Sequence, residues 1–148
     1  MNHLVHLVKR LITSLVRRDV SKAELNMVRS KLSAHEYELW LQFASADQRH
    51  SVLVAARFTA LRPEASANEI AGVLLHDIGK VRSNLSTLQR VVATVVGPRT
   101  RRFALYHQHE EIGADMLRQL GSHSEVIAIV NQTCSADVAA AFRAADNI

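Results

Sequence analysis

Apolar positions along the chain recur with the period of a helix almost throughout. Leu4, Val5, Leu7, Val8, Leu11, Ile12, Leu15 and Val16 fall on one half of a helical circumference, and His6, Lys9, Arg10, Thr13 and Arg17 on the other. That division predicts an amphipathic helix over 3–18, its apolar side packed on its own domain. Four Ser-x-x-Glu/Gln patterns then mark helix starts: Ser21/Glu24, Ser33/Glu36, Ser45/Gln48 and Ser66/Glu69. The spacing lets the serine hydroxyl and the acidic or amide side chain each satisfy one orphan backbone N–H. Helices are predicted over 22–31, 34–44, 46–61 and 67–78, with Arg62-Pro63 and Gly79 as stops. Others follow over 84–96, closed by Gly97-Pro98, and over 99–105, 109–120, 123–132 and 136–147. No alternating stretch competes as a strand. The fold class expected is all-α.

Composition narrows this without changing it. A chain of 148 residues with 48% hydrophobic and 22% charged residues is that of a globular protein and not a disordered one. Five Gly and two Pro exclude a turn-dense all-β chain. Cys134 is the sole cysteine, so neither an internal disulfide nor a Cys-rich zinc module is available, and a reducing, cytoplasmic setting is expected. The net charge of +4 is thinly spread, with 10 basic and 7 acidic groups in residues 1–74 and 8 and 7 in the remainder. Helices 22–31 and 34–44 resemble a helix-turn-helix pair in length, but the second carries Glu36 and Glu38 and no Lys or Arg. It would repel phosphates, so no DNA partner is expected. No apolar run approaches the ~20 residues of a membrane span, and no membrane partner is expected.

Chemistry has to come from the eight histidines and a few acids. His3 and His6 lie on the polar half of the first helix, and His35 and His123 fall at helix starts, where solvent-facing roles are expected. His107 and His109 are two apart and cannot share one helical face. The doublet His76-Asp77 means little alone, since random order gives roughly 0.3 such doublets. Its context means more: it ends the apolar run Ile70–Leu75 and precedes Ile78-Gly79-Lys80, where a turn at Gly79 would bring Lys80 toward an anion. His50 shares a helical face with Leu53, Val54 and Leu61, and Asp146 shares one with Val138, Ala139 and Phe142. An ionised Asp on an apolar face needs compensation. Arg143 or a buried tyrosine is one source. A divalent metal shared by His50, His76, Asp77 and Asp146 is another, and two imidazoles with two carboxylates suit Mn²⁺, Fe²⁺, Co²⁺, Ni²⁺ or Zn²⁺ better than Ca²⁺.

These residues, in this order, resemble the HD-domain superfamily of metal-dependent phosphohydrolases. The resemblance is carried by His50, by Leu74-Leu75-His76-Asp77-Ile78-Gly79-Lys80, by His109-Glu110-Glu111-Ile112-Gly113-Ala114-Asp115-Met116-Leu117, and by Asp146. It covers about residues 45–148, and residues 1–44 are similar to an N-terminal helical extension of some small bacterial members. The resemblance implies a compact helical bundle in which His50, His76, Asp77 and Asp146 bind one divalent transition metal. His109 matches a histidine that binds a second metal in binuclear members. Their further histidine is missing here, where residues 129–134 read Ile-Val-Asn-Gln-Thr-Cys, so a mononuclear site is expected. The chain also lacks the Gly-Tyr-Pro signature of the cyclic-di-GMP-degrading branch, and Lys80 stands where the alarmone-hydrolase branch has an acid.

The reaction implied is hydrolysis of a phosphoester, a nucleotide among the candidates, by a metal-activated water. Asp77, Lys80 and His109 are the catalytic candidates. Arg49 and Lys80 are the candidate phosphate contacts, and Asp77 doubles as proton acceptor. The cluster Arg99-Thr100-Arg101-Arg102 belongs to a solvated helix start. With four Phe, two Tyr and Trp40, stacking platforms are few. Trp40 is expected to pack between the N-terminal helices. The competing reading is a non-catalytic signalling or scaffold domain that keeps the metal site. The sequence leaves oligomeric state and substrate open.

Overall fold

The computed structural model describes residues 19–83 and 108–147. The helices expected over 3–18, 84–96 and 99–105, with His3, His6, His107 and the Arg99–Arg102 cluster, lie outside them. Among the described residues there are seven α-helices, one 3-10 helix and no strand. They are α1 Lys22–Lys31, α2 Ala34–Trp40, α3 Ser45–Leu61, α4 Ala67–Leu75, the 3-10 helix Ile78–Ser83, α5 His109–Leu120, α6 Ser124–Val130 and α7 Ala136–Asp146. None is long and apolar enough to cross a membrane.

Three of the four expected capping boxes form. Ser21, Ser33 and Ser66 each accept from the backbone N–H three residues on, while Glu24, Glu36 and Glu69 reach back to the cap N–H at 2.8, 2.8 and 3.2 Å. The fourth does not. Helix α3 begins at Ser45 itself with Ala44 as N-cap, and the Gln48 amide donates to the Leu41 carbonyl instead. Helix α2 stops at Trp40 and not at 44, because Gln42 and Phe43 bond back three residues and tighten the chain into a turn. Gly121, at φ 73°, ends α5 where the sequence expects it, in the left-handed conformation that glycine adopts without penalty.

Helix α4 is the centre of the bundle. Ile70 through Leu75 are all buried, so the helix is apolar on every side and needs neighbours on every side. Those neighbours are α6, α3 and α1. Gly72 admits α6 so closely that a Cβ there would lie 2.8 Å from Ile129 Cβ. Helix α7 packs on α3, and α5 packs on both the 3-10 helix and α6. Trp40 does more than pack between N-terminal helices. It is fully buried and its indole N–H donates to Ser51 Oγ on α3 at 2.9 Å, tying α2 to the helix that carries His50.

Candidate metal centre

The run Ile70–Leu75 carries His76 into the interior as the C-cap of α4. The helix ends three residues before the expected stop. At His76 the backbone N–H turns to the Val73 carbonyl, and the Lys80 N–H to the Asp77 carbonyl, so the doublet sits in a tightened 3-10 path. The Val73 carbonyl also accepts from the His76 ring at Nδ1, 2.7 Å away. That contact fixes the tautomer: the proton is on Nδ1 and Nε2 carries the lone pair. Nε2 is buried and has no hydrogen-bond partner among the described residues. Phe142 of α7 closes the ring's flank edge-on, with centroids 5.1 Å apart.

Two carboxylates from separate chain segments approach this nitrogen. Asp77 Oδ2 lies 3.5 Å from His76 Nε2 and Asp146 Oδ1, from the end of α7, lies 3.7 Å from it. Asp146 Oδ1 is also 3.0 Å from Nε2 of His50, on α3. Among the described residues, His50 supplies a hydrogen bond toward the compensation expected for Asp146. His50, His76 and Asp77 offer ligand atoms that all lie within 4.8 Å of one another, and among the described residues theirs is the group of three or more that does so. Three of the four residues expected as metal ligands thus share one point, and Asp146 lies beside His50 and His76 but outside that group.

Electrostatics sharpen the picture. Burial pushes the His76 imidazole below its ordinary pKa, against the opposing pull of Asp77 and Asp146, and keeps it neutral. Burial pushes Asp77 up, but the Lys80 ammonium, then His76 and His109, override it and hold the carboxyl well below the usual range. Burial likewise opposes the ionisation of Asp146, whose hydrogen bond to His50 and the nearby imidazoles lower it overall. A neutral nitrogen lone pair therefore faces two carboxylate oxygens with no proton between them. His50, His76 and Asp77 could hold a metal ion, and the buried Nε2 fits that role.

The remaining candidates surround Asp77. Lys80, itself buried, lies 2.5 Å from Asp77 Oδ2, and His109 Nε2 lies 3.3 Å from Oδ1. After the expected turn at Gly79 the Lys80 ammonium meets the doublet's own aspartate. Arg49 is drawn the other way, to Glu24 of α1 at 2.5 Å. His35 and His123 are exposed, as expected, and His123 caps α6 by accepting from the Glu125 N–H. At the end of α6, where binuclear members carry a histidine, Gln132 adopts φ 59° and its amide donates to Glu110 at 2.5 Å.

Sequence reasoning missed the Val73 carbonyl, and it placed Phe142 on the face of Asp146 without its contact with the His76 ring. Both have a helical signal: Val73 stands three residues before His76, and Phe142 four before Asp146, on the face each shares with its ligand.

The arrangement defines a class: an all-helical domain whose helix ends deliver histidine and aspartate to one buried point. Residues 48–142, more than half of the chain, match the family model of the HD domain, and the chain belongs to that family. HD domains characterise a superfamily of metal-dependent phosphohydrolases that bind divalent metals. No curated protein and no solved structure matches the chain. The match takes in His50, His76, Asp77 and His109, and stops four residues short of Asp146.

Proposed function

We propose that this chain is a metal-dependent phosphohydrolase that cleaves a phosphoester, nucleotides being the first class to test. The observation that carries this is the buried Nε2 of His76, unpartnered among the described residues and aimed at two carboxylates. His50, His76, Asp77 and Asp146 would hold one Mn²⁺, Fe²⁺, Co²⁺, Ni²⁺ or Zn²⁺. When bound, such an ion supplies an acidified water and a Lewis acid for a phosphoryl oxygen.

The chain's own residues supply the rest. The Val73 carbonyl keeps the His76 proton on Nδ1, and Phe142 holds the ring's orientation. Asp77, kept ionised beside Lys80, takes up a proton from the nucleophilic water. His109, across from Oδ1, protonates the leaving oxygen or binds phosphate. Lys80 neutralises charge on Asp77 and on a phosphoryl group beside it. Arg49 contacts substrate phosphate only by exchanging its ion pair with Glu24.

One observation favours the non-catalytic alternative, a signalling or scaffold domain that retains a metal: the Lys80–Asp77 pair already balances one ligand carboxylate. The partner proposed is a small phosphorylated molecule in a reducing, cytoplasmic compartment, with no DNA or membrane partner. The test is turnover of nucleoside mono- and triphosphates and an aryl phosphate with Mn²⁺, Co²⁺ or Mg²⁺. Metal-dependent release of phosphate that Asp77→Asn abolishes supports catalysis. Equal trace activity of both proteins on every substrate supports the scaffold.

A further inference from the structure

His109 reaches Asp77 because of two glycines on facing segments. The first turn of α5 has no side-chain cap at Gln108 to fix it, yet it lies hard against the 3-10 helix. A Cβ built on Gly79 would overlap the carbonyl oxygen of His109 and lie 2.6 Å from its carbonyl carbon and 2.8 Å from Gly113 N. A Cβ on Gly113 would lie 3.1 Å from Gly79 N, from Ile78 Cγ2 and from Val130 Cγ1. Each glycine is thus the other's neighbour. Gly79 has no positive φ, so what it contributes is room and not conformational freedom.

The two contacts on Asp77 pull in different directions. Lys80 holds Oδ2 and His109 meets Oδ1, and together they fix the plane of the carboxylate. The Lys80 contact is local, three residues along the same turn. The His109 contact depends on where α5 sits, and α5 sits where glycine meets glycine.

We propose that Gly79 and Gly113 are positioning residues, whose backbone contact sets the approach of His109 to Asp77 and, through it, the orientation in which Asp77 faces His76. The importance of that orientation rests on the metal-centre reading, but the contact itself exists without a metal. The two substitutions should be graded. A methyl on Gly79 meets unyielding backbone, whereas one on Gly113 meets one backbone atom and two side-chain methyls that can give by a few tenths of an ångström.

The experiment makes Gly79→Ala and Gly113→Ala in the full chain, alone and combined with His109→Ala. Histidine ring NMR signals of the metal-free protein and Co²⁺ affinity are measured. In Gly113→Ala the His109 ring signals, identified by their loss in His109→Ala, are expected to shift while those of exposed His35 and His123 stay. Co²⁺ affinity is expected to fall by about 10–100-fold in Gly79→Ala and by less in Gly113→Ala. With His109 already replaced, the further loss is expected to stay within about twofold, since the interaction being disturbed is gone. Unmoved His109 signals in Gly113→Ala, or the same fold-loss in both backgrounds, would overturn the proposal. If Gly79→Ala does not fold, Gly113→Ala carries the test. Absence of Co²⁺ uptake by the unmodified chain would remove the metal reading, and the NMR arm would still decide the positioning claim.

Discussion

Helices α3, α4 and α7 are stitched together at both ends, and the two stitches are built differently. At one end Arg62, capping α3, pairs with Glu69 of α4 through Nε and Nη2 at 3.0 and 3.3 Å and with Asp137 of α7 at 3.0 Å. At the other end the same three helices contribute His50, His76 with Asp77, and Asp146. The first cluster carries its own cation, a planar guanidinium whose fork matches the carboxylates. The second presents neutral His76 and two carboxylates, has Lys80 on one side of Asp77 only, and leaves His76 Nε2 with no hydrogen bond among the described residues. One end is a finished ion-pair network. The other sets a neutral nitrogen lone pair beside two carboxylates, a donor chemistry that suits a divalent ion, and that difference separates a candidate binding centre from a structural clasp.

The comparison breaks most visibly in turnover. Asp77→Asn keeps the volume and removes the charge, and is expected to lower phosphoester hydrolysis by at least about 100-fold. It should also lower the thermal midpoint of the metal-free protein, since it removes the carboxylate that pairs with buried Lys80. Steady-state kinetics beside a melting curve check both halves. Next in size is the response to metal. At a hundredfold excess over Kd, a divalent ion should stabilise the folded chain by about 2.7 kcal/mol, and His76→Ala should show almost none of this in melts with and without Mn²⁺ or Co²⁺.

Substitution at the finished end should spare the response to metal. Arg62→Met leaves Glu69 and Asp137 without their shared partner, so the thermal midpoint is expected to fall while metal affinity, measured by titration, stays unchanged. A drop in metal affinity as large as that of His76→Ala would erase the distinction between the ends.

Smallest is an acid effect. Asp137 is held below its ordinary pKa by the Ser135 hydroxyl, then by the Val138 N–H, with Arg62 adding to this. A carboxyl whose folded pKa is depressed contributes stability above its unfolded pKa of about 3.9, lost as pH falls through the lower folded value. Asp137→Asn should therefore lower stability slightly near neutrality and flatten the acid limb of the stability profile below about pH 4, the two proteins converging at the lowest pH.

The two ends also differ in how far the sequence revealed them. Capping boxes at Ser21, Ser33 and Ser66 and the apolar run before His76 are local signals, and they located most helix starts and the central helix. The convergence of His50, the doublet and Asp146 followed from helical faces and from resemblance to the family. Where a boundary depended on tertiary contacts, local reading failed. The box at Ser45 gave way to an Ala44 cap, and α4 ended at Leu75 because the doublet is drawn into a 3-10 path. Side-chain partners were the least legible. Nothing in the order of residues says that Lys80 turns back to Asp77, that Arg49 turns away to Glu24, or that Arg62 gathers carboxylates from α4 and α7. The choices of Arg49 and Arg62 depend on distances between separate helices, and that of Lys80 on the 3-10 path of the doublet.

The claim at the centre of this comparison is that the His50–His76–Asp77–Asp146 end takes up a divalent ion and that the Arg62 end plays no part in this. Calorimetric titration of the metal-free chain with Mn²⁺, Co²⁺ and Zn²⁺ addresses it directly. Uptake of about one ion per chain, abolished by His76→Ala and untouched by Arg62→Met, is the expected result. No uptake of any of the three ions would contradict it.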